Sequence, residues 1–105
     1  MKTVVIEYTL SPDADVADVE RHITDFVAGI ASLGRGTRYT SHRRRGADRT
    51  YLHVGYLPDE EASQAIQAAP FFRPFGDYLK TVCTLPPKST WLDRVSSTED
   101  SQPAR

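Results

Sequence analysis

The stretch from Tyr51 to Phe75, YLHVGYLPDEEASQAIQAAPFFRPF, restricts the possible fold more than any other part of the chain. It opens with alternating residues, the period of a strand, and runs with almost no connection into Pro58-Asp59-Glu60-Glu61, the opening of a helix. Asp59 is the expected cap, and the helix continues through Ala68. Pro70 interrupts it. A second helical piece runs from Phe71 to about Cys83, with Phe72, Phe75, Leu79 and Val82 as its apolar stripe. A polar residue, His53, sits inside the strand. The remaining segments must pack around this strand, helix and broken helix.

Upstream, Thr3 to Leu10 alternates, with Val4, Ile6, Tyr8 and Leu10 on one face and Thr3, Val5, Glu7 and Thr9 on the other. After Ser11-Pro12-Asp13, apolar residues recur at helical spacing from Val16 to Leu33. Asp13 and Asp15 can cap that helix, and Gly34 can stop it. Thr37 to Arg45 is expected to form a second strand, Gly46-Ala47-Asp48 a hairpin turn, and Thr50 to Leu57 the third strand. Pro86-Pro87 ends the last helical piece, and Ser89 to Val95 can form a fourth strand. The order β-α-β-β-α-β suits an α+β, ferredoxin-like sandwich. Residues 1–95 form the expected domain, and the polar tail 96–105 is expected to be disordered. The first and third strands are apolar on both faces. A sheet of that kind needs a cover on its second side, and in 105 residues the cheapest cover is another copy of the chain.

Composition narrows the function. A formal net charge of −1 argues against a dedicated nucleic-acid binder. No apolar run approaches the roughly 20 residues of a membrane span, and the first residues lack the apolar core of a signal peptide, so a cytoplasmic protein is expected. A single cysteine, Cys83, excludes an internal disulfide and a cysteine-based zinc site. His22, His42 and His53 show no metal-ligand spacing, and there is no phosphate loop or nucleophile elbow.

The passage His53-Val54-Gly55-Tyr56-Leu57-Pro58-Asp59-Glu60-Glu61-Ala62, then Ala69-Pro70-Phe71-Phe72-Arg73-Pro74-Phe75, and the ending Leu85-Pro86-Pro87 resemble the antibiotic biosynthesis monooxygenase family. The resemblance spans about residues 2–95. It implies a dimeric α+β barrel in which two ferredoxin-like sheets face one another and each subunit holds a pocket between sheet and helices. It also implies a cofactor-independent monooxygenase acting on an aromatic, quinol or polyketide-type small molecule. Haem-degrading members carry an asparagine on the first strand, a tryptophan on the second helix and a haem-ligating histidine on the third. Ungapped matching places Glu7, Ile66 and Gly76 there, so the haem ligand is missing and no cofactor is implied.

Within that frame, His53 is the first candidate for proton transfer, since imidazole titrates near neutrality. Glu7 is the second: an acid in an apolar strand becomes a base if burial raises its pKa. The two are expected to meet in one pocket, Glu7 orienting His53. Tyr51, Arg43, Phe72, Phe75 and Trp91 are candidate substrate-binding residues, the aromatics as a flat apolar wall and the arginine as a grip on an anion. The remaining arginines near the hairpin suit a solvated sheet edge. Two alternatives stand beside the oxygenase. One is a non-catalytic dimer of the same fold that binds a small ligand. The other, weaker, is an RNA-recognition module, because Arg49-Thr50-Tyr51-Leu52-His53-Val54-Gly55-Tyr56 matches part of that signature.

Overall fold

The computed structural model describes residues 2–47 and 49–98. Its elements are β1 (Lys2–Thr9), α1 (Val16–Ser32), β2 (Arg38–Arg43), β3 (Thr50–Leu57), α2 (Glu60–Ala68), α3 (Phe72–Val82) and β4 (Lys88–Leu92). The strands form one sheet in the order β2-β3-β1-β4, and every neighbouring pair is antiparallel. This is the ferredoxin-like arrangement expected from the element order.

Local signals set the helix ends. The Asp15 carboxylate accepts from the Asp18 backbone N–H at 3.2 Å, and Asp59 accepts from Ala62 at 2.8 Å. After α1 the chain turns through Gly34 at φ +61°, a conformation that favours glycine. Ala69 is extended, with ψ 144°, because the residue before a proline is pushed out of the helical region. Pro74 falls in the first turn of α3, where its missing N–H removes no intrahelical bond.

Some expected boundaries move. The second strand is shorter, Arg38–Arg43, and the fourth ends at Leu92, leaving Val95 exposed. Leu10 lies beyond β1 and bridges to Cys83. Of the hairpin turn, Asp48 lies outside the described residues, as do residues 99–105 of the tail.

The strand register sorts each strand by parity. Val4, Ile6, Tyr8, Tyr51, His53, Gly55 and Leu57 share the side covered by the helices. There the core divides in two. Tyr8, Leu10, Val19, Ile23, Tyr51 and Leu79 pack at one end, and Val4, Phe26, Ile30, Leu57 and Ile66 at the other. Both halves bury apolar side chains of the sheet against α1 and the second half of the chain.

Candidate active site

His53 lies where the two halves of the core meet. It is fully buried, at 0% exposure. In the sheet it stands between Ile6 on β1 and Ser41 on β2. Tyr8 and Tyr39 are two residues further along those neighbouring strands, on the same face. Diagonal neighbours of this kind are within reach of long aromatic side chains. The Tyr8 hydroxyl lies 2.7 Å from His53 Nε2, and the Tyr39 hydroxyl lies 2.8 Å from Nδ1. Both ring nitrogens are therefore engaged. Phe75 covers the imidazole, with ring centres 6.0 Å apart, and itself stacks on Phe26 at 4.2 Å.

Gly55 places Tyr39. The two residues are opposite each other in the β2–β3 ladder, and the tyrosine ring lies over the glycine. A Cβ at that position would come within 3.1 Å of Tyr39 Cδ2 and 3.2 Å of Val4 Cγ1. Lacking one, Gly55 lets the ring lie against the sheet, so that its hydroxyl reaches His53.

Burial controls the protonation of this group. It pushes the His53 pKa down to about 4, with a smaller contribution from His42, so the imidazole is neutral near pH 7. It also pushes the Tyr8 and Tyr39 hydroxyls well above the usual phenol range, so both keep their protons.

The tyrosine–histidine group borders a cavity of about 620 Å³ between sheet and helices. Ile6, Phe26, Phe72, Phe75 and Leu79 supply its apolar wall, and Tyr39, His53, Gln67 and Ser89 its polar groups. Arg73, Asp77 and Lys80 of α3 also line it, and all three are exposed. A smaller cavity of about 140 Å³ adjoins it, sharing Ile6, Phe26, Tyr39, Gln67, Phe72 and Ser89 and adding Ser63, Ile66 and Trp91. An apolar chamber with a few convergent polar groups is the usual form of a small-molecule site. Among the described residues, no cluster of three or more His, Cys, Asp or Glu could hold a metal ion. No described helix is long and apolar enough to cross a membrane.

No protein-family model matches the sequence, and no curated protein matches it. Solved structures do match the fold. The chain is similar to the cofactor-independent oxygenase SnoaB of Streptomyces nogalater, seen in a single-substitution variant. The TM-score is 0.78 and the identity 22%, over 91% of this chain and 94% of that one. A crystal structure described as an antibiotic biosynthesis monooxygenase aligns with TM-score 0.78 and 14% identity, over 91% of this chain and 100% of the other. A Pseudomonas aeruginosa protein aligns with TM-score 0.75 and 20% identity, over 90% of this chain and 94% of that one. The chain has the antibiotic biosynthesis monooxygenase fold. The resemblance read from its sequence motifs holds at that level.

This fold separates the residues that the sequence suggested would act together. His53, Phe72 and Phe75 line the main cavity, and Trp91 lines the adjoining one. Glu7 does not. It pairs with Leu52 across β1 and β3, on the opposite face from His53, and is exposed. The expected Glu7–His53 pair is therefore corrected: successive side chains of a strand point to opposite faces, and Ile6, not Glu7, has the parity of His53. Tyr51 and Arg43 belong to a separate groove of about 380 Å³ beside α1. There the Tyr51 hydroxyl donates to Glu20 at 2.6 Å and Arg43 donates to the same carboxylate at 3.2 Å. Burial and that hydrogen bond push Tyr51 up to about 12.

The same parity argues against the RNA-recognition alternative. In that module the third-strand aromatics stack bases on the open face of the sheet. Here Tyr51 and His53, which occupy the corresponding signature positions, are buried beneath the helices. Sequence reading did not name Tyr8 or Tyr39 as polar partners of His53.

Proposed function

We propose that this protein is a cofactor-independent monooxygenase of a flat aromatic small molecule, of the phenol, quinol or anthrone type. The observation that carries the reading is the Tyr39 hydroxyl, held by buried His53 at the wall of an aromatic cavity. A substrate ring stacked among Phe26, Phe72 and Phe75 brings its oxygen to Tyr39. Loss of a proton from such a substrate gives an electron-rich carbanion with its charge on that oxygen. A fixed hydroxyl donor stabilises this charge where it develops. The carbanion then reduces dioxygen directly. In the anthrone case a methylene becomes a carbonyl, one oxygen atom entering the product and the other leaving as water, with both reducing equivalents drawn from the substrate.

His53 serves here as the support of Tyr39 rather than as the base first expected. Its nitrogens are both engaged, and its pKa of about 4 makes it a weak acceptor near neutrality. Asp77 is the one carboxylate among the lining residues and takes the proton at the rim. Among the described residues that line the cavity the one carboxylate, Asp77, is exposed, which favours one second reading, a dimer of this fold that binds such a ligand without turning it over. Oxygen uptake with a panel of anthrones and quinols separates the two. Consumption that falls on Tyr39→Phe supports the oxygenase, and binding without consumption across the panel leaves the ligand-binding protein.

The partner proposed is a second copy of the chain, seated on the face of the sheet away from the helices. That face carries Val5, Leu52, Val54 and Tyr56, all only half-buried in the single chain, and the exposed Leu92. A cytoplasmic setting is proposed with it, in keeping with the unpaired Cys83.

A further inference from the structure

We propose that Tyr8 is a positioning residue, which fixes the tautomer of His53 and through it turns the Tyr39 hydroxyl toward the cavity. The inference deepens the reading above but rests on hydrogen-bond geometry that holds whether or not the protein turns over a substrate.

A neutral imidazole has one N–H donor and one bare nitrogen acceptor. The chain Tyr8–His53–Tyr39 can therefore run in only two directions. In the outward direction, the Tyr8 hydroxyl donates to Nε2, Nδ1–H donates to the Tyr39 oxygen, and the Tyr39 hydroxyl proton is left to point into the cavity. In the inward direction, Tyr39 donates to Nδ1, Nε2–H donates to the Tyr8 oxygen, and the Tyr8 proton must find another acceptor.

The surroundings of Tyr8 decide between them. Tyr8 is 3% exposed, stacked on Tyr51 with ring centres 5.7 Å apart and packed in the core beside Leu79. Among the described residues its hydroxyl has no hydrogen-bond partner but His53. The inward direction strands a buried donor, which on the ordinary cost of such a group disfavours it about 5- to 150-fold. Tyr39 pays no such penalty, because its hydroxyl lies on the cavity side and can donate to a ligand or water. The two bonds also polarise one another in the outward sense, which strengthens the last donor. The ligand that suits this arrangement presents an acceptor oxygen, a carbonyl or a phenolate, to Tyr39.

The tautomer can be read directly by long-range proton–nitrogen NMR on protein labelled at the histidine nitrogens, near pH 7.5. His53→Gln identifies the signals among the chain's 3 histidines. In the unaltered protein His53 should show a protonated Nδ1 and a bare Nε2. Tyr8→Phe removes the donor to Nε2, and the population should move toward the Nε2–H form. Tyr39→Phe should leave the tautomer as it was, since Tyr8 still donates. An Nε2–H imidazole in the unaltered protein overturns the proposal, as does a Tyr8→Phe spectrum with the tautomer unmoved. If Tyr8→Phe does not fold, the unaltered protein and Tyr39→Phe still decide the matter. A protein that consumes no oxygen loses the oxygenase reading and leaves this test intact.

Discussion

The two faces of the sheet are made from the same strands and have opposite chemistry. On the helix side, the row Ser41–His53–Ile6–Ser89 crosses all four strands and carries the buried imidazole. One residue along, on the other face, the row His42–Leu52–Glu7–Lys88 carries exposed charge beside a half-buried leucine. The next row of that face, Thr40–Val54–Val5–Thr90, is apolar at its centre. On the helix side the imidazole is enclosed and both of its nitrogens have partners within the chain. The outer side leaves apolar groups half-exposed in the single chain. A one-residue change of parity separates a group that faces the cavity beneath the helices from a group that faces away from it.

The largest effect should come from attacking the outer face. Val54→Asp places a carboxylate at the centre of the proposed interface, and two-fold symmetry places two there. Each buried unpaired charge costs several kcal/mol. Sedimentation at low micromolar concentration should show about twice 11.7 kDa for the unaltered chain and a monomer for the variant. A monomer in both removes the interface from the comparison.

The next largest should come from the helix side. Tyr39→Phe removes the donor facing the cavity and should lower kcat by roughly 10²–10³, the usual loss for one oxyanion donor, with little change in KM. An unchanged kcat in a protein that consumes oxygen would detach Tyr39 from the chemistry.

The third effect is a dependence of stability on pH that belongs to His53 alone. Its folded pKa of about 4 lies below the ordinary histidine value of 6.5. As pH falls through 6.5 the unfolded chain takes up a proton that the folded chain refuses, and unfolding is favoured. The loss accumulates down to about pH 4, amounts to about 3 kcal/mol, and then levels off. Urea unfolding at pH 7 and pH 4.5 measures it, and His53→Gln should flatten the difference. If the slope is the same in both proteins, the imidazole is less enclosed than its surroundings indicate.

The smallest effect should follow Glu7→Gln, on the outer face. Oxygen uptake should change less than twofold, since Glu7 touches neither cavity. A loss as large as that of Tyr39→Phe would mean that the outer face reaches the site, and the contrast between the faces would fail.

Much of the fold was legible in the chain itself. Period-two alternation in β1 and β3, helical periodicity in α1, Asp59 as a cap and Pro70 as a break are local signals, carried by residues within one turn or one ladder step of each other. The element order then leaves few ways to arrange four antiparallel strands. His53 was legible as a candidate because a polar side chain inside an apolar strand must find partners or solvent. Its partners were not. Tyr8 lies 45 residues from His53 and Tyr39 lies 14 residues from it across the β2–β3 hairpin, and which residue of each strand meets His53 depends on the strand register. The error over Glu7 has the same origin. An acid in an apolar strand announces itself in the sequence, but only the packing of the helices says which side of the sheet becomes the chamber.

What the sequence by itself determined is the set of elements, their order, the doubly apolar sheet and a polar histidine inside the third strand, because each follows from the spacing of neighbouring residues. What only the tertiary structure decided is the company His53 keeps: Tyr8 and Tyr39 on its two nitrogens, Phe75 above it, Glu7 on the far side, and Tyr51 and Arg43 in another groove. Those relations depend on strand register and on the placement of α1 and α3 against one face, and both are set by the joint packing of segments distant in the chain.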